Sequence, residues 1–276
     1  MDFEIVDEFL IWTEEGYGNS AAIDLGGKVI AIDAMFNWEL AKEWRKLIEQ
    51  YFNQPVSGLV LTHHHADHTF GNQVFSDLHI ISSFEIRKIT KHFEQEVWVN
   101  EAPEDLAEWE ASGYGVKGLQ ITHSNLCFEN KIKIFGERTL EVIQADGHTG
   151  GSTYLWEPET KTLIAGDLVF NKQFPYGGDE TCDPIQWQTV MEKLIALKPK
   201  TIISGHGPPA SDNDLTEINN FFIKSIDFIR NKLKEGLTFQ EIATDSNFPE
   251  YYSQDRVERK NVTIERWVDF LKEKTR

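Results

Sequence analysis

The chain has little of what marks several large classes of protein. Its 276 residues include two cysteines, Cys127 and Cys182, too few for the disulfide framework of a small secreted domain. No apolar run approaches the roughly 20 residues that a transmembrane helix needs. The N-terminus lacks both the basic start and the apolar stretch of a secretory signal. These absences predict a cytoplasmic protein without a membrane partner.

Basic residues are also scarce, with 27 Lys and Arg against 45 Asp and Glu, for a formal net charge of −18. Nucleic acids are bound largely through Lys and Arg side chains that neutralise phosphates, so a nucleic-acid partner is not expected. No G-x-S-x-G sequence occurs, which argues against the nucleophile elbow of a serine hydrolase. The expected partner is a small-molecule substrate, and the sequence does not indicate an oligomeric state.

One hexapeptide stands out against this background: residues 63–68 read H-H-H-A-D-H. Within it His63, His65, Asp67 and His68 are four candidate metal ligands. Imidazoles and a carboxylate crowded together lose hydration when buried, and a divalent cation compensates for that loss. Histidine and carboxylate without thiolate suit zinc, iron or manganese. The hexapeptide therefore predicts a metal site.

Three more candidate ligands, His148, Asp167 and His206, each stand next to a glycine farther along the chain. All four clusters directly follow a short apolar run, which predicts a buried strand. Each ligand is therefore expected just past the carboxyl end of its strand. One metal centre at a common edge of the sheet accounts for all of them.

In order and type, these seven residues resemble the ligand set of the metallo-β-lactamase superfamily, over roughly residues 1–210. The resemblance implies two divalent ions, with zinc preferred and iron or manganese as alternatives. It also implies a four-layer αββα sandwich whose metals lie at one edge of its two sheets. The implied ligands are His63, His65 and His148 for the first metal, Asp67, His68 and His206 for the second, and Asp167 as the bridge.

The domain organisation is predicted as an α/β metallo-β-lactamase-type domain over residues 1–212 and a helical extension over residues 213–276. In the extension, apolar residues recur at helical spacing from Leu215 to Leu233 and again from Ile264 to Leu271. Thr238 and Glu241 have the spacing of a capping box. We expect these helices to pack on the same domain.

The function implied by the resemblance is hydrolysis of an ester, thioester, lactone or β-lactam by a hydroxide held between two metal ions. Asp67 is the predicted catalytic residue, since as in relatives it could accept the proton released on attack. Two alternatives stay open: a mononuclear iron persulfide dioxygenase, and a non-hydrolytic member that only binds metal or ligand.

Other polar residues near the motifs receive weaker assignments. His64 is expected to support its neighbours without binding metal. Asp24, Asp33 and Asp146 flank strands and could orient ligand histidines, with Asp146 the best placed. The remaining histidines, His79, His92 and His123, are assigned no role. A substrate pocket is predicted from aromatic residues in two segments, 92–118 and 170–178, and its members are Trp98, Trp109, Phe170, Asn171, Phe174 and Tyr176.

Overall fold

The computed structural model describes residues 3–13, 17–93, 107–108, 110–111, 115–252 and 257–274. Two of the predicted pocket residues, Trp98 and Trp109, lie outside these ranges.

A first sheet of seven strands is built in sequence order, so that each strand pairs with the next. The first four strands pair antiparallel, and the fourth to the seventh pair parallel. The hexapeptide begins shortly after the fifth strand, which lies between parallel neighbours. The strands are β1 (Phe3–Val6), β2 (Phe9–Trp12), β3 (Ser20–Asp24), β4 (Val29–Ile32), β5 (Val56–Val60), β6 (His79–Ser83) and β7 (Leu126–Phe128).

A second sheet of five strands has the order β12-β11-β10-β9-β8. Its strands pair antiparallel except for the parallel pair β11 and β12, which a helix connects. The remaining three predicted ligands all come from this sheet or from its connections. Its strands are β8 (Lys131–Phe135), β9 (Thr139–Gln144), β10 (Thr153–Glu157), β11 (Thr162–Phe170) and β12 (Thr201–His206).

The helices begin where capping residues occur in the sequence. Asn37 and Asp183 each accept two backbone N–H bonds in a first turn, and Thr238 forms its predicted capping box with Glu241. Two 3-10 turns lie at Phe70–Phe75 and Lys91–Phe93. The helices are α1 (Trp38–Phe52), α2 (Ala66–Thr69), α3 (Phe84–Thr90), α4 (Pro184–Ala196), α5 (Asp212–Lys234), α6 (Phe239–Ala243) and α7 (Val257–Lys274).

The two sheets pack face to face, and helices cover both outer faces. Along β4, Ile30 and Ile32 point between the sheets whereas Ala31 points outward, as the two-residue period of a strand requires. Trp44 of α1 is buried on the outer face of the first sheet. The four-layer αββα sandwich is thereby confirmed. The core between the sheets includes Ile23, Ile32, Val60, Ile81, Leu140, Val142, Leu155, Ile164 and Ile203.

The predicted C-terminal helices cover the outer face of the second sheet together with α4. Trp187 of α4, Phe222 of α5 and Trp267 of α7 have ring centroids 4.7 to 6.4 Å apart. All three side chains are fully buried. The extension therefore shares a core with the sandwich, and the domain boundary at residue 212 stays a prediction. Within the described ranges, no helix combines the length and apolarity needed to cross a membrane.

Candidate metal centre

All seven predicted ligands converge at one edge of the two sheets. They form two groups, and within each group one candidate ligand atom per residue lies within 4.8 Å of the others. We call them the first group (His63, His65, His148 and Asp167) and the second group (Asp67, His68 and His206).

In the first group, the Nε2 atoms of His63 and His148 lie 3.7 and 3.5 Å from Oδ2 of Asp167. Nδ1 of His65 lies 3.1 Å from Nε2 of His148. These separations let one ion contact all four residues at the roughly 2.0–2.2 Å typical of zinc ligands.

The second group also lies next to Asp167. Nε2 of His206 lies 3.1 Å from Oδ2 of Asp67 and 3.3 Å from Oδ2 of Asp167. Nε2 of His68 lies 3.1 Å from Oδ1 of Asp167. Asp167 thus stands between the two groups, the position expected of a bridging ligand.

The position of Asp167 corrects one sequence-based expectation. It does not follow its strand but lies inside β11, where the pairing with β12 shifts at Gly166. Gly166 has φ of +51°, which a glycine adopts without the strain that a side chain would add. Gly205 on β12 packs against the carboxylate, because a Cβ there would lie 2.0 Å from Oδ1 of Asp167. The irregular pairing turns Asp167 towards the histidines.

Hydrogen bonds outside the two groups fix which nitrogen faces inward in three of the histidines. His63 donates from Nδ1 to Thr62 at 3.1 Å, and His148 donates from Nδ1 to the carbonyl of Tyr176 at 2.9 Å. His68 donates from Nδ1 to Asp33 at 2.8 Å. Each of these bonds occupies Nδ1 and turns Nε2 towards the ligand groups, so Nε2 is the nitrogen that would bind a metal.

Asp33 therefore has the orienting role predicted for an aspartate beside a strand. Its carboxylate also accepts from the backbone N–H and the hydroxyl of Thr62, both at 2.7 Å. The sequence-based preference for Asp146 was wrong, because Asp146 accepts from Gly151 and Gln144 within its own turn.

Asp179 is a site residue that the sequence analysis missed. Its Oδ2 accepts from Nε2 of His64 at 3.0 Å and from Nε2 of His65 at 3.1 Å. The second of these bonds leaves Nδ1 of His65 facing the first group. His64, as expected, is paired outside both groups. The sequence Gly177-Gly178-Asp179 repeats the glycine-flanked aspartate that identified Asp167, and it could have indicated this residue.

The buried polar atoms of the site fit divalent cations. Nε2 of His63 is buried and makes no hydrogen bond, and Nε2 of His68 and Oδ1 of Asp167 are buried without a well-aligned hydrogen bond although they lie 3.1 Å apart. Burying such atoms unpaired is costly, and a cation placed among them would remove the cost. The donor set of imidazole nitrogens and carboxylate oxygens suits zinc, iron or manganese. The residues present therefore fit a metal centre.

The histidines of the two groups differ in the direction of their pKa shifts. Burial, reinforced by the neighbouring histidines, lowers the pKa of His63 well below its usual 6.5. Burial also lowers the pKa of His148 to about 3. In the second group burial acts in the same direction but is outweighed by Asp167 and Asp67, so the pKa of His206 rises to about 9. The pKa of His68 is likewise raised well above 6.5, with Asp33 adding to the same two carboxylates.

Three predicted pocket residues lie elsewhere. Phe170, Asn171 and Phe174 are exposed by 1%, 1% and 0% and do not line the cavity beside the metal centre. Phe170 stacks on His206 with ring centroids 5.0 Å apart, and Asn171 donates to the carbonyls of Pro208 and Pro209. Their assignment to a substrate pocket is corrected, because β11 continues to Phe170 and holds this stretch in the core.

Tyr176 does line a cavity of about 250 Å³ beside the first group, together with His65 and Asp179. His123, to which the sequence assigned no role, lies in the same wall. A histidine outside any motif gives no sequence signal, so only the fold could bring it there.

A buried cluster of five histidines and two aspartates at the edge of an αββα sandwich defines a metal-binding class of protein. The family model of the metallo-β-lactamase superfamily matches residues 13–206. The chain belongs to this superfamily.

Individual similar proteins also come from this superfamily or are named for its activities. A metallo-β-lactamase type 2 from Bacillus sp. (strain 170) is 26% identical over 211 residues, covering 71% of this chain and 73% of that protein. An acyl-coenzyme A thioesterase from Gallus gallus is 29% identical over 117 residues, or 41% of each chain. A metallo-β-lactamase family protein from Thermus thermophilus superposes with a TM-score of 0.71 at 17% identity, covering 99% of this chain and 95% of that one. This last likeness extends the shared fold through the C-terminal helices.

Proposed function

We propose that the protein is a metal-dependent hydrolase with two metal ions, preferably zinc, that cleaves an ester, thioester, lactone or β-lactam. The observation that supports this most directly is the second group. Asp67, His68 and His206 lie close enough together for one ligand atom of each to hold a second ion, and both histidines also lie beside Asp167. A mononuclear enzyme would have no need of all three. When bound, two divalent ions would activate a water molecule and polarise the carbonyl of the substrate.

The two groups of residues would each hold one metal ion. His63, His65 and His148 would hold the first ion, and their outward hydrogen bonds already fix the rings in place. Asp67, His68 and His206 would hold the second ion, and Asp167 would contact both.

Asp67 is the proposed catalytic residue. Its side chain is 27% exposed, whereas that of Asp167 is 3% exposed, so Asp67 borders the open side of the site. A carboxylate in that position could accept the proton released when water attacks the carbonyl. Burial opposes its ionised form, but His68 and His206 outweigh this effect and lower the pKa of Asp67.

The relatives support chemistry at a carbonyl carbon. One is named a β-lactamase and another an acyl-coenzyme A thioesterase, and an amide or a thioester is the bond that such names imply. We extend to this chain only the reaction type.

The test begins with metal-free protein and adds zinc while following a panel of ester, thioester, lactone and β-lactam substrates. We expect no turnover without metal and turnover of at least one class after zinc is added. Asp67→Asn should lower kcat by about 10²-fold or more, the usual contribution of a positioned proton acceptor. Asp146→Asn is the matched control, because Asp146 lies in a nearby turn outside both groups, and it should keep full activity.

Each other outcome points to a stated alternative. Full hydrolysis by protein verified as metal-free would overturn the mechanism. Oxygen uptake on a persulfide with one bound iron would identify a dioxygenase. Metal binding without turnover of any substrate class would favour a non-hydrolytic binding protein.

A further inference from the structure

The cavity beside the first group has a consistent chemical character. Its volume is about 250 Å³, somewhat below the ~300–1,000 Å³ of pockets that enclose a drug-sized ligand. Ala66, Phe70 and Ile121 give it apolar walls, and Tyr176 lies where the cavity meets the ligands. A cavity of this size suits one part of a substrate rather than the whole.

No described residue that lines the cavity is a lysine or an arginine. The lining does contain one carboxylate, that of Asp179, whose Oδ2 is already paired with His64 and His65. The described wall of the cavity therefore holds a carboxylate and no lysine or arginine.

The arginines close to these elements are engaged elsewhere. Arg87 donates to the carbonyl of Ser124. Arg259 donates to the carbonyl of Phe174 at 3.3 Å and stands over the ring of Phe170. Neither is part of the cavity wall.

The sequence between two cavity residues, Thr90 and Ile121, is poor in basic residues. Residues 94–114 contain seven Asp and Glu and no Lys or Arg. Lys91 and Lys117, which flank them, are exposed and outside the lining.

An anionic group placed in this cavity would lose hydration without gaining a lysine or arginine as a partner. That loss is large for carboxylates and phosphates, whereas an apolar group gains by leaving water. Because no residue of the second group lines the cavity, a group seated there lies on the side of the first group.

We propose that this cavity receives the acyl part of the substrate, and that this part is apolar and uncharged. The inference rests on the proposed hydrolase function and narrows it. Neutral esters, lactones or thioesters with an aliphatic or aromatic acyl group are the substrate class that fits. Acyl groups that carry a carboxylate are excluded.

A matched pair of esters tests the charge preference. p-Nitrophenyl hexanoate and mono-p-nitrophenyl adipate share a six-carbon acyl chain, and only the second ends in a carboxylate. The assay uses zinc-loaded protein at a pH of about 8.5, where imidazoles with their ordinary pKa of ~6.5 are neutral. We expect kcat/KM for the hexanoate to exceed that for the adipate by at least about tenfold, a modest value for an unpaired buried charge.

A cation built into the wall should reverse this preference. Ile121→Lys should raise the relative kcat/KM for the adipate about tenfold, because a buried carboxylate is stabilised by an adjacent ammonium group. Ile223→Lys is the matched control: it makes the same substitution at an exposed position of α5 and should leave the ratio unchanged. Thr122→Lys, in the same wall, serves if Ile121→Lys does not fold.

Binding of non-hydrolysed analogues separates this inference from the proposed function. Hexanamide and the monoamide of adipic acid carry the same pair of acyl groups, and ligand-observed NMR measures their binding without turnover. Preferential binding of hexanamide by a protein that hydrolyses nothing would overturn the function and support the cavity assignment. Hydrolysis with equal or better use of the adipate, or a ratio that Ile121→Lys does not move, would overturn the cavity assignment alone. Absence of both binding and hydrolysis would overturn both.

Discussion

The first and second ligand groups meet at Asp167 but differ in the charges that surround their histidines. In the first group three imidazoles share one carboxylate, and burial lowers the pKa of His148 to about 3. In the second group two imidazoles face Asp67 and Asp167, and the pKa of His206 rises to about 9. Without metal, His63 and His148 are therefore neutral, whereas His68 and His206 hold protons.

This difference has a consequence for metal binding. A histidine binds a metal only through an unprotonated nitrogen, so a metal entering the second group must displace protons from His68 and His206, whereas His63 and His148 in the first group are already neutral. The two groups should fill in order, the first before the second, under conditions that leave the second group protonated.

Replacing the shared residue should have the largest effect. Asp167→Asn removes the negative charge that both groups use, so metal should be lost from both and hydrolysis should fall by more than ~100-fold, beyond the usual cost of losing an outer partner of a ligand. Elemental analysis and kcat measured on the same preparation check this. Asp24→Asn, in a turn of the first sheet, should change neither quantity. Full metal content in Asp167→Asn would show that the groups are independent.

Removing one histidine from each group should separate them. His206→Ala should leave one metal per chain, held by the first group, because its four ligands stay intact. His148→Ala should weaken the first group instead and leave Asp67, His68 and His206 in place. Cobalt substitution, with absorption spectra for each variant, distinguishes the two occupancies. Identical spectra from the two variants would contradict the division into groups.

The pH dependence of metal affinity should differ between the groups. Since the pKa of His206 without metal is about 9, it holds a proton below that pH, and affinity at the second group should fall as the pH drops from 9 towards 6. The expected change is about tenfold per pH unit for each proton displaced. His148, with a pKa of about 3, stays neutral throughout this window, so its own titration leaves the first group's affinity flat. Competition titrations with a chromophoric chelator measure the metal affinity of both groups at each pH. Equal pH dependence of the two affinities would contradict the proposed difference between the groups.

Substitution of Asp179 should have a smaller effect on metal affinity, and only at the first group. Asp179→Asn weakens the acceptor that holds Nε2 of His65, and metal affinity at the first group should fall about 10–100-fold while the second group is unaffected. The cobalt spectra and the chelator titration read this out. Asp179→Glu keeps the charge and should recover part of the affinity. Equal losses of metal affinity at both groups would mean that Asp179 supports the whole hexapeptide, residues 63–68, rather than His65 alone.

The smallest effect is expected at His64. His64→Ala removes one of the two donors to Asp179 but no ligand atom from either group. Metal content should stay the same and the rate should change only a few-fold, because His64 contacts Asp179 rather than a ligand and His65 remains as the second donor to Asp179. His65→Ala is the contrasting variant and should lose the first metal. If His64→Ala emptied the site and His65→Ala did not, the assignment of ligands within the hexapeptide would be wrong.

Much of the fold and the ligand set could be predicted because the relevant residues are local in sequence. Caps such as Asn37 and Asp183 act within three residues, and the apolar stripes of α5 and α7 repeat at a fixed spacing. The hexapeptide places four ligands on one turn. The four-layer architecture was predicted from the resemblance to the family, which rests on the order of the motifs. The periodicity of apolar residues alone could not have predicted it.

The parts that were missed depend on contacts between distant segments. Asp179 reaches His64 and His65 across 115 and 114 residues, and His123 joins the cavity wall without any motif. Phe170 and Phe174 were assigned to a pocket because they follow Asp167 and are aromatic. A strand that continues past its ligand, as β11 does, sends such residues into the core instead.

The number of metal ions bound per chain tests the central claim most directly. Metal-free protein is loaded with zinc at a pH of about 9, where the second group should be deprotonated, and bound metal is counted after removal of the excess. The account predicts two zinc ions per chain, falling towards one when the same protein is equilibrated at a pH of about 6. A saturating value of one ion at both pH values, above all one iron with oxygen uptake on a persulfide, would contradict it.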